Sequence, residues 1–278
     1  MSEMQKVIKY LAIAFAIFLI IAIISGIVAG GYGIIKASGL VKSDKNIISE
    51  SIATISDNVE EISSLKIEIK GTDMQIVKGD KLEVRTNNTY IKYSNENGNV
   101  VIKDERPDNF FFGGSYEGNV IISIPENMKE INDTEIKIGA GKIFIDKLYT
   151  KKLRLDIGAG ETTINNLEIS NEAKIEGGAG AIHINSGKIH NLYLETGMGA
   201  ADVTADIIGN SKLETGVGTL YLNLYSGIEK YRISAEKGLG DIRCNNQPVS
   251  DHTTIGTGEN YIKIEGGVGQ ITITTNNK

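Results

Sequence analysis

The chain has 278 residues, of which 23% are charged and 41% are hydrophobic, and this composition argues against wholesale disorder. The net charge of −6 argues against a nucleic-acid partner, because phosphate binding needs a concentrated surface of Lys and Arg. The single cysteine, Cys244, excludes an intrachain disulfide framework and a zinc site built on cysteines.

The first predicted element is a membrane-spanning helix over residues 10–35, preceded by a short tail of residues 1–9. This stretch has no charged residue and consists mostly of Ile, Ala, Leu and Phe. About 20 apolar residues cross a bilayer core as a helix, whereas the apolar region of a cleaved signal peptide is shorter. We therefore expect an uncleaved signal anchor. Because the tail is short and the domain after the span is large, we expect that domain to lie outside the cytoplasm.

Small residues recur every four positions within this span, at Ala22, Gly26 and Gly30. Such a ridge lets two helices pack closely and would support a homodimer, although Gly and Ala are also common in membrane helices in general. Residues 36–63 follow as a polar segment with sparse isoleucine. We expect this segment to be a stalk that is partly helical around residues 49–59.

The rest of the chain carries a repeat marked by Gly-x-Gly, whose second glycines lie 19, 20, 19, 19, 22 and 29 residues apart. A nearly constant period of this length predicts stacked units that bury little alone and must pack on their neighbours. The seven glycine pairs are Gly139 and Gly141, Gly158 and Gly160, Gly178 and Gly180, Gly197 and Gly199, Gly216 and Gly218, Gly238 and Gly240, and Gly267 and Gly269.

Apolar and polar residues alternate around each glycine pair. Apolar residues stand five positions before the second glycine and two and four positions after it, and the position between the last two is mostly polar. A period of two predicts strands, and the matched apolar positions predict columns of stacked side chains. We therefore expect an all-β fold, a parallel β-solenoid over residues 64–278.

The solenoid is expected to have degenerate rungs over residues 64–128 and regular rungs over residues 129–275. The glycine pairs are predicted at sharp corners, where a side chain would collide with the next rung. Asn, Asp or Thr five positions after the second glycine predicts a ladder of turn residues at another corner. The 29-residue interval predicts a loop around Asn246–Glu259 before the final rung.

These rungs resemble the bacterial "putative adhesin" family, also called the toastrack domain, over roughly residues 56–275. The resemblance implies a right-handed single-stranded β-helix, a bacterial cell membrane location and a link with envelope-stress systems. It supplies no catalytic residues. The motifs that carry it are Val120–Pro125, Ile136–Gly141, Leu155–Gly160, Ile175–Gly180 and Ile264–Gly269.

Two groups of residues are candidate partner contacts. Glu176, Glu195 and Glu214 stand on one outward column before the glycines and could bind a cation or a basic partner, or could form a solvated strand face. Phe110, Phe111 and Phe112 lie in a glycine-rich segment, where they either expose an apolar patch to a partner or membrane or cap the open end of the solenoid.

The sequence favours a non-enzymatic binding or scaffold module anchored at the cell envelope, with a membrane protein or a cell-wall glycan as its partner. The alternative is a carbohydrate-active enzyme on the flank of the solenoid, which rests on fold analogy. We expect no catalytic residue, no cofactor and no metal site, because the histidines are scattered and Cys244 falls on an inward column.

Overall fold

The computed structural model describes residues 53–57, 61–107 and 118–276, and the fifteen strands in these ranges join one mixed sheet wound into an all-β solenoid. One 3-10 turn, Ile228–Lys230, is the only helical element of the described ranges. In chain order the strands are β1 (Ala53–Asp57), β2 (Ser64–Ile69), β3 (Asp73–Gly79), β4 (Leu82–Thr86), β5 (Ile91–Glu96), β6 (Asn99–Asp104), β7 (Asn119–Pro125), β8 (Ile131–Ile184), β9 (Gly187–His190), β10 (Leu192–Ile208), β11 (Asn210–Leu224), β12 (Tyr231–Cys244), β13 (Gln247–Pro248), β14 (Thr253–Ile255) and β15 (Asn260–Thr275).

Three predicted features lie outside the described residues: the span at residues 10–35 with its small-residue ridge, the tail before it, and the Phe110–Phe112 segment. Across the ranges given above, no helix is long and apolar enough to cross a membrane.

The start of the solenoid differs from the prediction. Ala53–Asp57, which was expected to belong to a partly helical stalk, is a strand paired antiparallel with β4, and Ile62 is buried. The β-branched residues Thr54 and Ile55 favour the extended conformation once β4 offers an edge to pair with.

The predicted apolar columns form the core. The column five positions before the second glycine is completely buried in every rung, and like residues pair in register, so that Leu194 pairs with both Ile175 and Leu213. Stacked columns of this kind bury a continuous core that no single rung could bury alone. The members of this column are Ile136, Leu155, Ile175, Leu194, Leu213, Ile264 and Ala235.

The predicted ladder of turn residues is present at another corner. The Asn165 side-chain amide donates to Asp146 at 3.4 Å, and the Asn185 amide donates to Asn165 at 3.1 Å. These bonds run from rung to rung and satisfy polar groups where the chain turns.

Both ends of the solenoid are built out of sequence order. At one end, β2 and β3 lie between β8 and the outer strands β6 and β7. At the other end, β15 lies between β11 and β12, so the last rung in sequence is not the last in space. The 29-residue interval therefore does more than form a loop. It contains β13 and β14, and its length lets the chain return from β12 to the position of β15, between β11 and β12.

Short antiparallel strands close both ends. At the first end β4 pairs with β7 and β5 pairs with β6, and at the second end β13 and β14 pair with β12. An open edge of parallel strands would invite pairing with another chain, so these closing strands protect the solenoid from edge-to-edge association.

Candidate functional site

Two neighbouring outward columns of one face carry alternating charges. They stand six and four positions before the second glycine of each rung, and parallel pairing stacks them in register. We call these residues the charge ladder. Its members are Lys66, Glu68, Glu135, Lys137, Arg154, Asp156, Lys174, Glu176, Tyr193, Glu195, Lys212, Glu214, Lys263, Glu265 and Glu236.

The cations of the charge ladder bridge carboxylates on adjacent rungs. The Arg154 guanidinium lies 3.0 Å from Asp156 and 3.3 Å from Glu176. The Lys212 ammonium contacts Glu214 and lies 3.0 Å from Glu265. Stacked carboxylates repel each other, and the bridging cations offset that repulsion along the column.

Tyr193 occupies a cation position with a neutral group. Its hydroxyl oxygen lies 2.7 Å from a carboxylate oxygen of Glu195 and 2.7 Å from one of Glu214. Hydrogen bonding to these two anions raises the pKa of Tyr193, because the bonds favour the protonated phenol. In the described part of the chain, Glu195 is thus a ladder carboxylate held by a hydroxyl instead of an ammonium or guanidinium.

The ion pairs keep ladder carboxylates ionised. A hydrogen bond from Lys263 lowers the pKa of Glu265 to about 2, and a hydrogen bond from Lys137 lowers the pKa of Glu135. Conversely, hydrogen bonds to Glu214 and Glu68 raise the pKa values of Lys212 and Lys66. Such groups accept and donate hydrogen bonds in fixed positions, but they are poor proton donors at neutral pH.

Each glycine pair gives the corner beside the charge ladder two positions without a side chain. The second glycines have φ values between 133° and 151°, a range that L side chains rarely adopt. At the first glycines, a Cβ on Gly158 would lie 2.2 Å from the Gly139 carbonyl oxygen. Glycine is therefore required by both the conformation and the close approach of rungs.

The missing side chains open a groove of about 840 Å³ along the solenoid. One wall is the column of the charge ladder that stands four positions before the second glycine. It is basic at Lys137 and acidic at Asp156, Glu176 and Glu195. The floor is the peptide backbone of the first glycines, with the buried side chains of Ile138 and Ile157 beneath it. The groove crosses six neighbouring rungs, from β6 and β2 through the three glycine pairs of β8 to β10.

A buried ion pair supports the β6 end of this groove. Asp104 and Arg106 are both buried and form a salt bridge, and Arg106 also donates to the Gly71 carbonyl oxygen at 3.2 Å. Burial by itself would raise the pKa of Asp104, but hydrogen bonds from Arg106 outweigh it and lower that pKa.

The residues between the two glycines form an exposed apolar ridge at the other end of the solenoid, and sequence reasoning missed it. Their side chains are in register on consecutive rungs: Met198 is 38% exposed, Val217 46%, Val268 38% and Leu239 70%. The signal was available, because this middle position changes from Ala in the first three pairs to larger apolar residues in the last four.

The structure brings two of the predicted contact residues to the groove and leaves one beside it. Glu176 and Glu195 line the groove, whereas Glu214 is on the same column but one rung further. Phe110, Phe111 and Phe112 lie outside the described residues. Among the residues that the structure describes, no group of three or more His, Cys, Asp or Glu could hold a metal ion.

The sequence model of the family described as "Toastrack DUF4097" matches residues 59–266 of this chain. No curated protein matches this chain. Solved structures that match this chain include a "putative cell adhesion protein" from Clostridium sporogenes. It is 16% identical, and the match covers 81% of this chain and 99% of that protein with a TM-score of 0.33. A "putative adhesin" from Parabacteroides distasonis is 14% identical, covers 80% of this chain and 96% of its own, and has a TM-score of 0.40. A "putative lipid binding protein" from the same organism is also 14% identical, covers 81% and 98%, and has a TM-score of 0.31.

Proposed function

This chain belongs to the Toastrack DUF4097 family, and on that premise we propose that it is a non-enzymatic binding and scaffold module at the bacterial cell envelope. A polymer or a partner protein of the envelope would bind along the outer face of the solenoid. The solenoid is a rigid support for this role, because its rungs are stacked in register and both ends are closed.

The observation that carries the proposal is the charge ladder. Its carboxylates are tied to neighbouring Lys, Arg or Tyr side chains on rung after rung, from Lys66 to Glu236. A hydrolase of the glycosidase type needs one carboxyl group that stays protonated at the working pH. Hydrogen bonds from lysine instead lower the pKa of Glu135 and Glu265. A regular array of paired charges suits binding better than proton transfer.

The anchor is the second part of the proposal. The uncharged run at residues 10–35 would hold the protein in the cell membrane as a single pass, with the solenoid outside the cytoplasm. The proposal includes a right-handed winding of the solenoid, which the family resemblance implies. It also includes a homodimer through Ala22, Gly26 and Gly30, whose spacing lets two helices pack closely.

The test uses the full chain with an affinity tag after Lys278, solubilised in detergent and held on beads. Purified cell-wall sacculi and detergent extracts of envelope proteins are passed over it separately. The proposal predicts that at least one fraction is retained above the level held by an unrelated protein with the same span and tag. Equal background retention of every fraction would contradict it.

A carbohydrate-active enzyme is the second candidate, because Asp156, Glu176 and Glu195 line one wall of an open groove. This candidate predicts the release of new reducing ends from a polysaccharide, and it predicts their loss when Glu176 and Glu195 are both changed to Gln. The binding module predicts no release by either protein.

A further inference from the structure

The exposed apolar ridge runs along one edge of the solenoid, the edge formed by the glycine corners. Met198, Val217, Val268 and Leu239 lie on consecutive rungs in that spatial order, because β15 stands between β11 and β12. Each has a glycine on both sides, so bare backbone flanks every side chain of the ridge. Single exposed apolar residues are normal on a protein surface. Four in register over roughly 14 Å form a continuous apolar line, which is typical of a contact site.

The borders of the ridge are uncharged on three of its four rungs. On the rungs of β10, β11 and β15, the residues two positions before and after the ridge residue are Thr, Ala, Gly or Gln. On the outer rung, β12, they are Lys237 and Asp241, one charge of each sign. On two alanine rungs of β8, by contrast, Lys142 and Glu161 occupy the later position. Charge is therefore scarce where the apolar side chains are large, as contact with an apolar phase requires.

The described chain begins at this same edge. Pairing through β4, β7 and β3 aligns Ala53 of β1 with Ile143 of β8, which stands two positions after Gly141. The strand β1 runs parallel to β7, since both are antiparallel to β4. The backbone that leads into Ala53 therefore arrives from the glycine corner, and not from the opposite side of the rung.

A short segment separates this strand from the proposed anchor. Residues 36–52 are 17 positions long and join β1 to the uncharged run at residues 10–35. An extended chain advances about 3.4 Å per residue, so this segment would keep β1 within roughly 60 Å of the membrane that holds the run. The edge with the apolar ridge is thus the edge to which a membrane anchor is joined.

A bilayer suits the ridge better than a second copy of the chain does. A stable interface between proteins buries about 800 Å² on each partner, whereas the ridge is one side chain wide and four rungs long. A bilayer makes no such demand, because the span would already hold the protein at the surface. Tethering of this kind gives a small contact a high effective concentration.

From the ridge and the place where the chain enters the solenoid, we propose that the glycine edge lies on the lipid bilayer. The four ridge side chains insert among the headgroups and the upper acyl chains, as the apolar faces of interfacial proteins do. This inference rests on the membrane anchor of the proposed function and names the partner of this edge. The charge ladder begins three positions before the ridge, so it stays in water and remains open to an envelope partner.

The experiment uses tryptophan as a reporter, because the chain contains none. Val217→Trp and Tyr225→Trp form a matched pair: Val217 is 46% exposed, and Tyr225, which follows β11 directly, is 44% exposed. Val217 belongs to the ridge. Tyr225 stands at the corner of the turn residues, where its hydroxyl lies 3.4 Å from the Asn185 carbonyl oxygen.

Each full-chain variant is reconstituted into vesicles of phosphatidylcholine and into vesicles of phosphatidylcholine brominated on its acyl chains. Bromine quenches the fluorescence of tryptophan rings that contact the acyl region. The fluorescence of Val217→Trp should be about twofold lower in brominated vesicles, because the ring lies at the boundary of headgroups and acyl chains. The fluorescence of Tyr225→Trp should be the same in both kinds of vesicle.

A second ridge variant guards against a change in folding. Leu239 is 70% exposed and therefore tolerates a larger ring, so Leu239→Trp should be quenched as Val217→Trp is. Circular dichroism of each variant, compared with that of the unchanged chain, shows that the solenoid is folded.

Flotation of the vesicles separates this inference from the proposed anchor. If the chain floats with the vesicles but both ridge tryptophans escape quenching, the anchor stands and the lipid contact is overturned. Ridge tryptophans that escape bromine and are also shielded from acrylamide in the water would indicate a protein partner or a second copy, and would overturn it too. Equal quenching of Tyr225→Trp would contradict contact by one edge. A chain that does not float contradicts both the anchor and this inference.

Discussion

Gly218 lies so close to Gly199 on the adjacent rung that a Cβ added to Gly218 would stand 1.6 Å from the Gly199 carbonyl oxygen. The φ of Gly218 is 146°, which L side chains rarely adopt. An alanine at this position would therefore be strained in its backbone as well as crowded by Gly199. The corner is held by backbone against backbone, and this contact recurs at each second glycine from Gly160 onward.

Gly218→Ala is therefore expected to lower the free energy of unfolding by about 3 kcal/mol or more, since rungs must separate and φ is strained. Gly71→Ala is the matched control, because a Cβ there meets nothing within 4 Å and its φ is not positive. Urea unfolding followed by circular dichroism measures both. Equal small effects at the two positions would contradict the stacked corner.

Thr162→Val is expected to raise the free energy of unfolding by about 1 kcal/mol. Thr162 is completely buried in an apolar column, and its hydroxyl has no hydrogen-bond partner in the described structure. Valine keeps the shape and removes the cost of burying that hydroxyl, which is about 1–3 kcal/mol in proteins.

Thr150→Val is the control for that substitution and should have the opposite sign. Thr150 is equally buried, but its hydroxyl bonds to the Ile131 carbonyl oxygen at 3.0 Å and to the Thr134 hydroxyl at 3.1 Å. Loss of these bonds leaves buried groups unsatisfied and should cost about 1–3 kcal/mol. If Thr150→Val stabilised the protein as Thr162→Val does, the hydrogen bonds of the Thr150 hydroxyl would be absent from the folded state.

Arg106→Met is expected to destabilise the solenoid by about 3–5 kcal/mol at neutral pH, because it leaves the buried Asp104 carboxylate without its cation. The loss should shrink as the pH falls. With Arg106 gone, burial raises the pKa of Asp104 above its unfolded value, so protonation below that pKa favours the folded state. Arg154→Met, on the exposed ladder, should cost much less than Arg106→Met, because solvent screens an exposed ion pair.

Unfolding free energy should form a plateau between about pH 5 and pH 10. Glu265 has a pKa of about 2 against an ordinary 4.5, so its stabilisation is present above 4.5 and is lost as the pH falls through 2. Lys212, Lys263 and Tyr193 have raised pKa values, so their contributions are present below 10 and are lost at higher pH. Urea titrations across this range test it, and a maximum near pH 3 would contradict the ion-pair ladder.

The repeat predicted the core, the strand direction and the ladder of turn residues, because each depends on neighbours at a fixed sequence interval. The order of rungs at the ends could not be predicted in this way. A 29-residue interval shows that the chain leaves the regular path before Gly267, but it does not show that β15 returns between β11 and β12.

The charge ladder was only half visible in the sequence. Glu176, Glu195 and Glu214 were noticed as one column, but their partners stand two residues earlier and on adjacent rungs, as Arg154 does for Glu176. Recognising the ladder therefore requires both columns and the spatial order of the rungs. The groove was missed because it is formed by absent side chains at the first glycines.

The most direct measurement of the proposed function is the topology of the full chain in living cells. Protease is added to intact cells whose protein carries a tag after Lys278. The account predicts that the tag and the solenoid are digested from outside while a cytoplasmic control protein stays whole. Protection of the tag until the cells are lysed would contradict a binding module at the outer face of the membrane.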